Sequence, residues 1–389
     1  MTLKLDQSQR GGSGGNESPP RKLNSELIRM ARSLSEIGPN INEIARVTSC
    51  HKETVRYRYH RFFLERGITV QAMPSYAKLG FKRLILVAKL APSYEPIAKD
   101  IFDALSELCY LHSYTRVMLR GTYLVHVAVP GELAERCAAV YKDLQRAGLF
   151  VELEIFVFEE MRNPPMKPER FDFVRSKWSV DWNSIKPTDS RLPLTAAPKA
   201  ERYDRVDLLI LKELEIDAGR TLVKMVHNVD VTLNALEFHH REHVEARGLI
   251  KGYRLIWQGT HYDFAQQRPV SRKDYVELTI LFENGTRDEV TELMMLLNST
   301  PFLWSEACGA AYCAEVFVPT YEFLFLLAYL DKFASKVGEK LRMFTMDQNQ
   351  AVRFVISYTL FDGESRKWQL DSRSVMGMVK RLPHQSIPI

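Results

Sequence analysis

The sequence predicts an α+β protein in which a winged helix-turn-helix followed by a ferredoxin-like βαββαβ domain occurs twice. Three observations lead there. A shift of 181 positions lays "TVRYRYHRFFLERGI" over "ALEFHHREHVEARGL", with Val55 on Leu236, Tyr57 on Phe238 and Arg66-Gly67-Ile68 on Arg247-Gly248-Leu249. Apolar stretches of strand period then alternate with helical ones after each of these segments. Between the halves, residues 162–200 carry Pro164, Pro165, Pro168, Pro187, Pro193 and Pro198, which deny the backbone regular hydrogen bonding and mark a linker.

The 389 residues have near-average apolar and charged fractions, suited to several modest domains. Residues 1–22 are rich in Gly, Ser, Gln and Pro and read as a flexible tail. The first winged module spans 23–74. "LNSELIRMARSLSEIG" puts Leu27, Ala31 and Leu34 on one helical face, with Asn24 as cap. "NINEIARVT" opens a second helix on Asn40, three residues before Glu43, and turns Ile41, Ile44 and Ala45 inward. After Thr48-Ser49-Cys50 a third helix runs to Arg66, burying Val55, Tyr59, Phe62 and Phe63, and Gly67 supplies its left-handed stop. "ITVQAMP" begins a wing.

Residues 75–161 then read as βαββαβ. "FKRLILVAKL" is a strand, 95–108 a helix, "YTRVMLR" and "YLVHVAV" strands joined by Gly121-Thr122, and 132–147 a helix. In "VELEIFVF" strict alternation sets Val151, Leu153, Ile155 and Val157 on one face. The aromatic "FDFVRSKWSVDWNSI" within the linker is too apolar to float free and is expected to pack on a domain surface. A second winged module (201–258), a second βαββαβ domain (270–361) and a tail (362–389) complete the chain.

The third helix raises the functional question. With Val55, Tyr59 and Phe62 committed to the core, His51, Lys52, Thr54, Arg56 and Arg58 are expected to face outward, with Arg61 near the helix end. A solvated charged face is the ordinary meaning of such a helix, but its position after a helix-turn favours a recognition helix in the major groove of double-stranded DNA. Lys52 and Arg56 would reach base edges, and Arg58 and Arg61 phosphates. The second copy serves as a control. Residues 21–70 hold ten lysines and arginines against five carboxylates, a net of +5, whereas 204–256 hold eight against nine, a net of −1. Leu233, Glu237 and Glu242 replace Lys52, Arg56 and Arg61, so the second module is expected to have lost strong DNA contact.

"TVRYRYHRFFLERGI" and "YAKLGFKRLILVAKL" resemble the recognition helix and the entry to the sensing domain of the Lrp/AsnC transcription regulators. That resemblance implies a DNA-binding regulator rather than an enzyme, assembling as a homodimer or higher oligomer through its βαββαβ (RAM-like) domains. It also implies a possible small-molecule effector beside Gly121 and Thr122, where Thr-Tyr follows Gly in place of the family's Gly-Asp. Siroheme decarboxylases share the architecture; for an enzyme of that kind the available groups are His112, His126, Arg116 and Arg120.

Other features read as exclusions. The first 22 residues have no apolar signal core, and "FLFLLAYL" is too short to span a bilayer, so a cytoplasmic, nucleoid-associated protein is expected, with no membrane contact. Five cysteines without C-x-x-C suggest neither a disulfide framework nor a zinc ribbon, and Cys308 and Cys313 read as core or interface thiols. No nucleophile triad or dinucleotide loop is present, and no cofactor is called for. "HHREH" sets His239 and His243 one turn apart, without an identifiable third ligand, and no metal is expected. The helix at 320–337 is apolar around most of its circumference and is expected to be covered on a second side.

Overall fold

The computed structural model describes residues 19–159, 161–186, 199–226, 231–256, 262–263, 268–269 and 275–385. Helix α1 (Pro19–Ile37) buries Leu27, Ala31 and Leu34 completely. It begins upstream of Asn24, which is therefore not its cap; Asn24 Oδ1 instead accepts from the Phe173 backbone N–H at 2.8 Å. Helix α2 (Ile41–Thr48) starts as expected, with Asn40 Oδ1 accepting from Glu43 N at 3.2 Å. In α3 (Lys52–Phe62) His51 serves as N-cap, its Nδ1 accepting from Glu53 N at 3.3 Å. A 3-10 turn at Leu64–Arg66 and Gly67 at φ 72° end the module's helices.

The wing strand β1 (Thr69–Pro74) finds a distant partner. The first half continues through β2 (Phe81–Leu90), α4 (Ala98–Leu108), β3 (Leu111–Val117), β4 (Thr122–Pro130), α5 (Ala134–Arg146), β5 (Phe150–Phe158) and the short β6 (Met161–Arg162). A small hairpin follows, β7 (Phe171–Asp172) and β8 (Lys177–Trp178). The second winged module is α6 (Arg205–Ile216), α7 (Leu222–Val226) and α8 (Leu233–Phe238), the last running into a π-helical segment (His239–Glu245), then β9 (Ile250–Ile256). β1 and β9 form an antiparallel ladder from Thr69 opposite Ile256 to Pro74 opposite Ile250, which ties the two winged modules together. After the short pair β10 (Tyr262–Asp263) and β11 (Arg268–Pro269) come β12 (Tyr275–Glu283), α9 (Arg287–Ser299), β13 (Leu303–Cys308), β14 (Ala311–Pro319), α10 (Thr320–Val337) and β15 (Leu341–Arg353).

The two βαββαβ segments share one sheet, in the order β5-β2-β4-β3-β15-β12-β14-β13-β6, joined where β3 pairs antiparallel with β15. β5 and β6 lie at opposite ends of that order yet are almost consecutive in the chain, so the sheet closes on itself as a barrel. Its interior is a packed apolar cluster drawn from all eight long strands, including Ile85, Val117, Leu124, Phe158, Leu281, Ala307, Cys313 and Phe344. The helices cover the outside. On β5 Leu153 and Ile155 pack on the helix-side core, Val151 and Val157 of the same series are half exposed, and Phe156 and Phe158 reach the barrel interior.

The linker and the C-terminus are more structured than composition suggests. Phe171, Phe173 and Trp178 are buried, and Trp178 Nε1 donates to Tyr275 Oη of the second half at 3.1 Å. The expected tail instead forms a like hairpin, β16 (Phe361–Asp362) with β17 (Lys367–Trp368), and helix α11 (Ser372–Gln385). Trp368 packs back on Phe81 of the first half, 5.0 Å between ring centroids, and Val375 and Val379 of α11 are buried against α4 and α5. Each hairpin thus clasps the other half. On α10 one face is buried through Leu326, Leu330 and Phe333, Trp182 of the linker lies against Tyr329, and Leu324 and Phe325 remain exposed. No helix among the described residues is long and apolar enough to cross a membrane.

Candidate active site

Alternation decides what points into the barrel. On β2 the inward series is Arg83, Ile85, Val87; on β4, Leu124 and His126; on β12, Glu277, Thr279, Leu281; on β14, Cys313, Glu315, Phe317. One end of each series is apolar and fills the interior. The charged members collect at the mouth beneath the β1/β9 ladder, where a cleft of about 120 Å³ opens. Arg83, His112, Ser113, His126, Glu315 and Arg353 of the barrel line it, with Tyr76 and the ladder residues Lys251 and Arg254 above, Glu215 of α6 at one side and Trp304 at the other. A second cleft of about 300 Å³ adjoins it and shares Met73, Asn163, Lys251, Arg254 and Trp304.

Both halves contribute to the central pair. His126 Nε2 of the first half lies 3.1 Å from Glu315 Oε1 of the second, without an aligned hydrogen bond. Ser305 Oγ donates to the other oxygen of Glu315. Burial works against ionisation of Glu315, but His126, Arg353 and Ser305 outweigh it and hold the carboxyl well below its usual range. Glu277 goes the other way. Buried and close to Glu315, and only partly offset by Arg353, it is pushed up to about 8 and keeps its proton at neutral pH. A bulge in β15 between Asp347 and Ala351 brings Arg353 opposite Ser113 at the mouth.

The remaining groups form two layers. Arg254 stacks on the Trp304 ring at 3.7 Å and donates to the Trp304 carbonyl at 3.0 Å. Burial and the neighbouring Arg353 push it down to about 9, which leaves it charged at neutral pH. Opposite, Tyr76 Oη donates to Glu215 Oε1 at 2.9 Å and sits 3.0 Å from His112 Nε2, while the Arg83 guanidinium covers the Tyr76 ring at 3.8 Å. Burial, with Arg83 and His126 adding to it and Glu215 opposing, lowers the His112 pKa. Four guanidinium and ammonium groups and two imidazoles therefore face one cleft that also has aromatic walls. Glu159, Glu215 and Glu315 line the same cleft and offset three of the four cations, so the arrangement can pair with ligand carboxylates and provides imidazoles for proton transfer.

No protein-family model and no curated protein sequence matches the chain. Solved structures do. The chain is similar to the siroheme decarboxylase NirDL, with a TM-score of 0.52, 9% identity, and 91% of this chain and 99% of that one covered. It matches NirDL in complex with an iron-uroporphyrin III analogue equally well, with a TM-score of 0.52, 9% identity, and 92% and 99% covered. The likeness concerns the fold. It corrects the expectation that the chain is not an enzyme: a like fold, matched over 91% of this chain, is that of an enzyme, so the fold does not exclude catalysis.

The residues named from sequence divide into three groups. His112 and His126 meet in the cleft. Arg116 does not: it pairs with Glu95 at 3.3 Å, and Arg120 is exposed beside the β3–β4 turn. Gly121, at φ 59°, ends that turn and Thr122 opens β4, and neither lines any of the clefts described. On α3, His51, Lys52, Arg56 and Arg61 are exposed and Thr54 is partly buried, with Arg56 paired to Glu53 at 2.6 Å and Arg61 to Glu65 at 2.5 Å. Arg58 departs from its outward assignment. It turns back to Glu26 of α1 at 2.5 Å and is largely buried, because position 58 faces the α1 side of the module.

Sequence reasoning missed Arg83, Lys251, Arg254, Arg353, Glu215 and Glu315. A signal was present for two of them: Arg83 in "FKRLILVAKL" and Glu315 in "AYCAEVFVP" are lone charges in otherwise apolar strands.

Proposed function

We propose that the chain is an enzyme of siroheme-decarboxylase type, which takes a carboxylate-bearing tetrapyrrole at the barrel mouth and removes carboxyl groups as CO2. The observation that carries this reading is the set of Arg83, Lys251, Arg254 and Arg353 converging with His112 and His126 on one cleft. A macrocycle seated at the mouth would place peripheral carboxylates against the cations, each such charge-assisted contact contributing about 1.5–3 kcal/mol. Loss of CO2 breaks a carbon–carbon bond and leaves its electron pair on the arm's remaining carbon, which must then take a proton. His126 is the donor we assign, and Glu277, which keeps its proton at neutral pH and interacts electrostatically with Glu315, is the group we assign to resupply it. We also read the two halves as copies of one unit, supported by the recurring βαββαβ order and by the Phe-Asp…Lys-Trp hairpin that ends each. On this reading the site is completed within one chain, since β3 meets β15 and His126 meets Glu315 across the seam.

Titration of the full chain with siroheme, followed by the Soret band, tests the ligand. Saturable binding that weakens in Arg254→Ala and Arg353→Ala supports the reading, and a folded wild type that leaves the spectrum unchanged overturns it.

A second reading, DNA binding through α3, is favoured by the exposed Lys52 and the +5 charge of the first module. Arg56 and Arg61 would have to leave Glu53 and Glu65 to reach phosphates. If it holds, duplex DNA binding weakens in Lys52→Ala, Arg56→Ala and has a strong salt dependence; equal affinity in the double variant removes it.

A further inference from the structure

Away from the cleft, the second winged module brings together four side chains that the decarboxylase reading does not use. His239 and His243 lie on the π-helical segment after α8, their rings T-shaped at 4.6 Å with the Phe238 ring edge-on to both. Both imidazoles turn Nδ1 to Asp207, which is fully buried: His239 Nδ1 is 2.8 Å from Oδ1, and His243 Nδ1 is 3.1 Å from Oδ1 and 3.2 Å from Oδ2. Asp204 Oδ1 is 3.6 Å from His239 Nδ1. One ligand atom from each of the four residues falls within 4.8 Å of all the others.

The carboxylates are held in place independently. Asp204 caps α6, its Oδ1 accepting from the backbone N–H of Val206 and of Asp207, while Asp207 Oδ2 accepts from Asp204 N at 2.9 Å. That capping box fixes both groups and leaves Asp207 Oδ1 turned to the imidazoles. Zinc bonds of about 2.0–2.1 Å in a tetrahedron set neighbouring ligand atoms about 3.3 Å apart. The observed separations of 2.8, 3.1 and 3.6 Å bracket that edge length. Two carboxylates balance the charge of a divalent cation, and the two-nitrogen, two-oxygen donor set suits a borderline metal better than calcium or magnesium. π-Helical segments are rare and concentrate at functional sites, and this one carries both histidines.

We propose that Asp204, Asp207, His239 and His243 form a structural zinc site, which clamps the N-terminus of α6 to the helix after α8. The clamp also reaches the cleft, because Glu215, eight residues beyond Asp207 on the same α6, holds Tyr76. The proposal is independent of what the cleft binds.

The test uses the full chain, stripped with chelator and titrated calorimetrically with Zn2+ alone, and with Co2+ as a visible reporter. One equivalent of Zn2+ per chain, with intense tetrahedral cobalt bands, is the expected result. Affinity falls more than about tenfold in His239→Ala and in His243→Ala, with the circular dichroism of the folded chain retained. Asp207→Asn also removes a helix cap, so the histidine variants carry the test. Absence of Zn2+ binding to the folded wild type, octahedral cobalt bands, or histidine variants that bind like wild type would each overturn the proposal.

Discussion

Glu277→Gln probes the charged mouth of the barrel through stability. In the folded chain burial, with Glu315 close by, raises the Glu277 carboxyl from 4.5 to about 8. Between those values the unfolded chain has released the proton that the folded chain still holds, so stability falls as pH rises through the window and the loss is complete above 8. At about 1.4 kcal/mol per pH unit, the loss is on the order of 5 kcal/mol. Glu315 acts in the opposite sense: its lowered pKa contributes stability that is present above 4.5 and disappears on acidification. Gln keeps the shape of a protonated Glu and cannot ionise. The variant should match wild type near pH 5 and exceed it by several kcal/mol near pH 8.5, measured by urea unfolding at intervals across the range. Parallel pH profiles for the two proteins would refute the assignment of a proton to Glu277.

Three further outcomes follow from the same geometry. Arg254→Ala removes the guanidinium stacked on Trp304, and at about 1.5–3 kcal/mol per charge-assisted contact tetrapyrrole affinity should fall roughly 10- to 150-fold in a Soret titration. His126→Asn should keep ligand binding within a few-fold while lowering kcat by about 10²–10⁴, as expected for loss of a proton donor; a KM effect alone would assign it to binding. Gly38 sits at φ 71°, and a Cβ there would meet the Tyr253 ring of β9 at 2.8 Å, so Gly38→Ala should cost about 1–3 kcal/mol in unfolding experiments by straining α1 against the β1/β9 ladder.

Local chemistry made the elements readable. Asn40 caps α2, Gly67 adopts its left-handed turn, and the apolar faces of α1 and α3 bury Leu27, Ala31 and Val55 as their spacing requires. What stayed hidden is pairing across the chain. Nothing in "ITVQAMP" says that its ladder partner is β9 in the other half of the chain, nor that β3 will meet β15 and close a barrel. Nor does the sequence show which end of each inward series the ladder would roof, which is what brings His112, His126 and Arg254 to one cleft. Arg116 and Arg120, chosen for proximity in sequence, lie on the far side of β3 and in its turn. Arg58 was misplaced for a smaller reason. A recognition helix has a flank as well as a face, and Glu26 of α1 stands at that flank. The Asp207 partner of the histidines was equally invisible, since its spacing to His239 is set by the packing of α6 on the π-helical segment.

The central claim is tested most directly by mass analysis of siroheme incubated with the full chain, with a His126→Asn control. The account predicts product lighter by the mass of CO2, accumulating with wild type and nearly absent with the variant. Siroheme that is bound but recovered unchanged would contradict it.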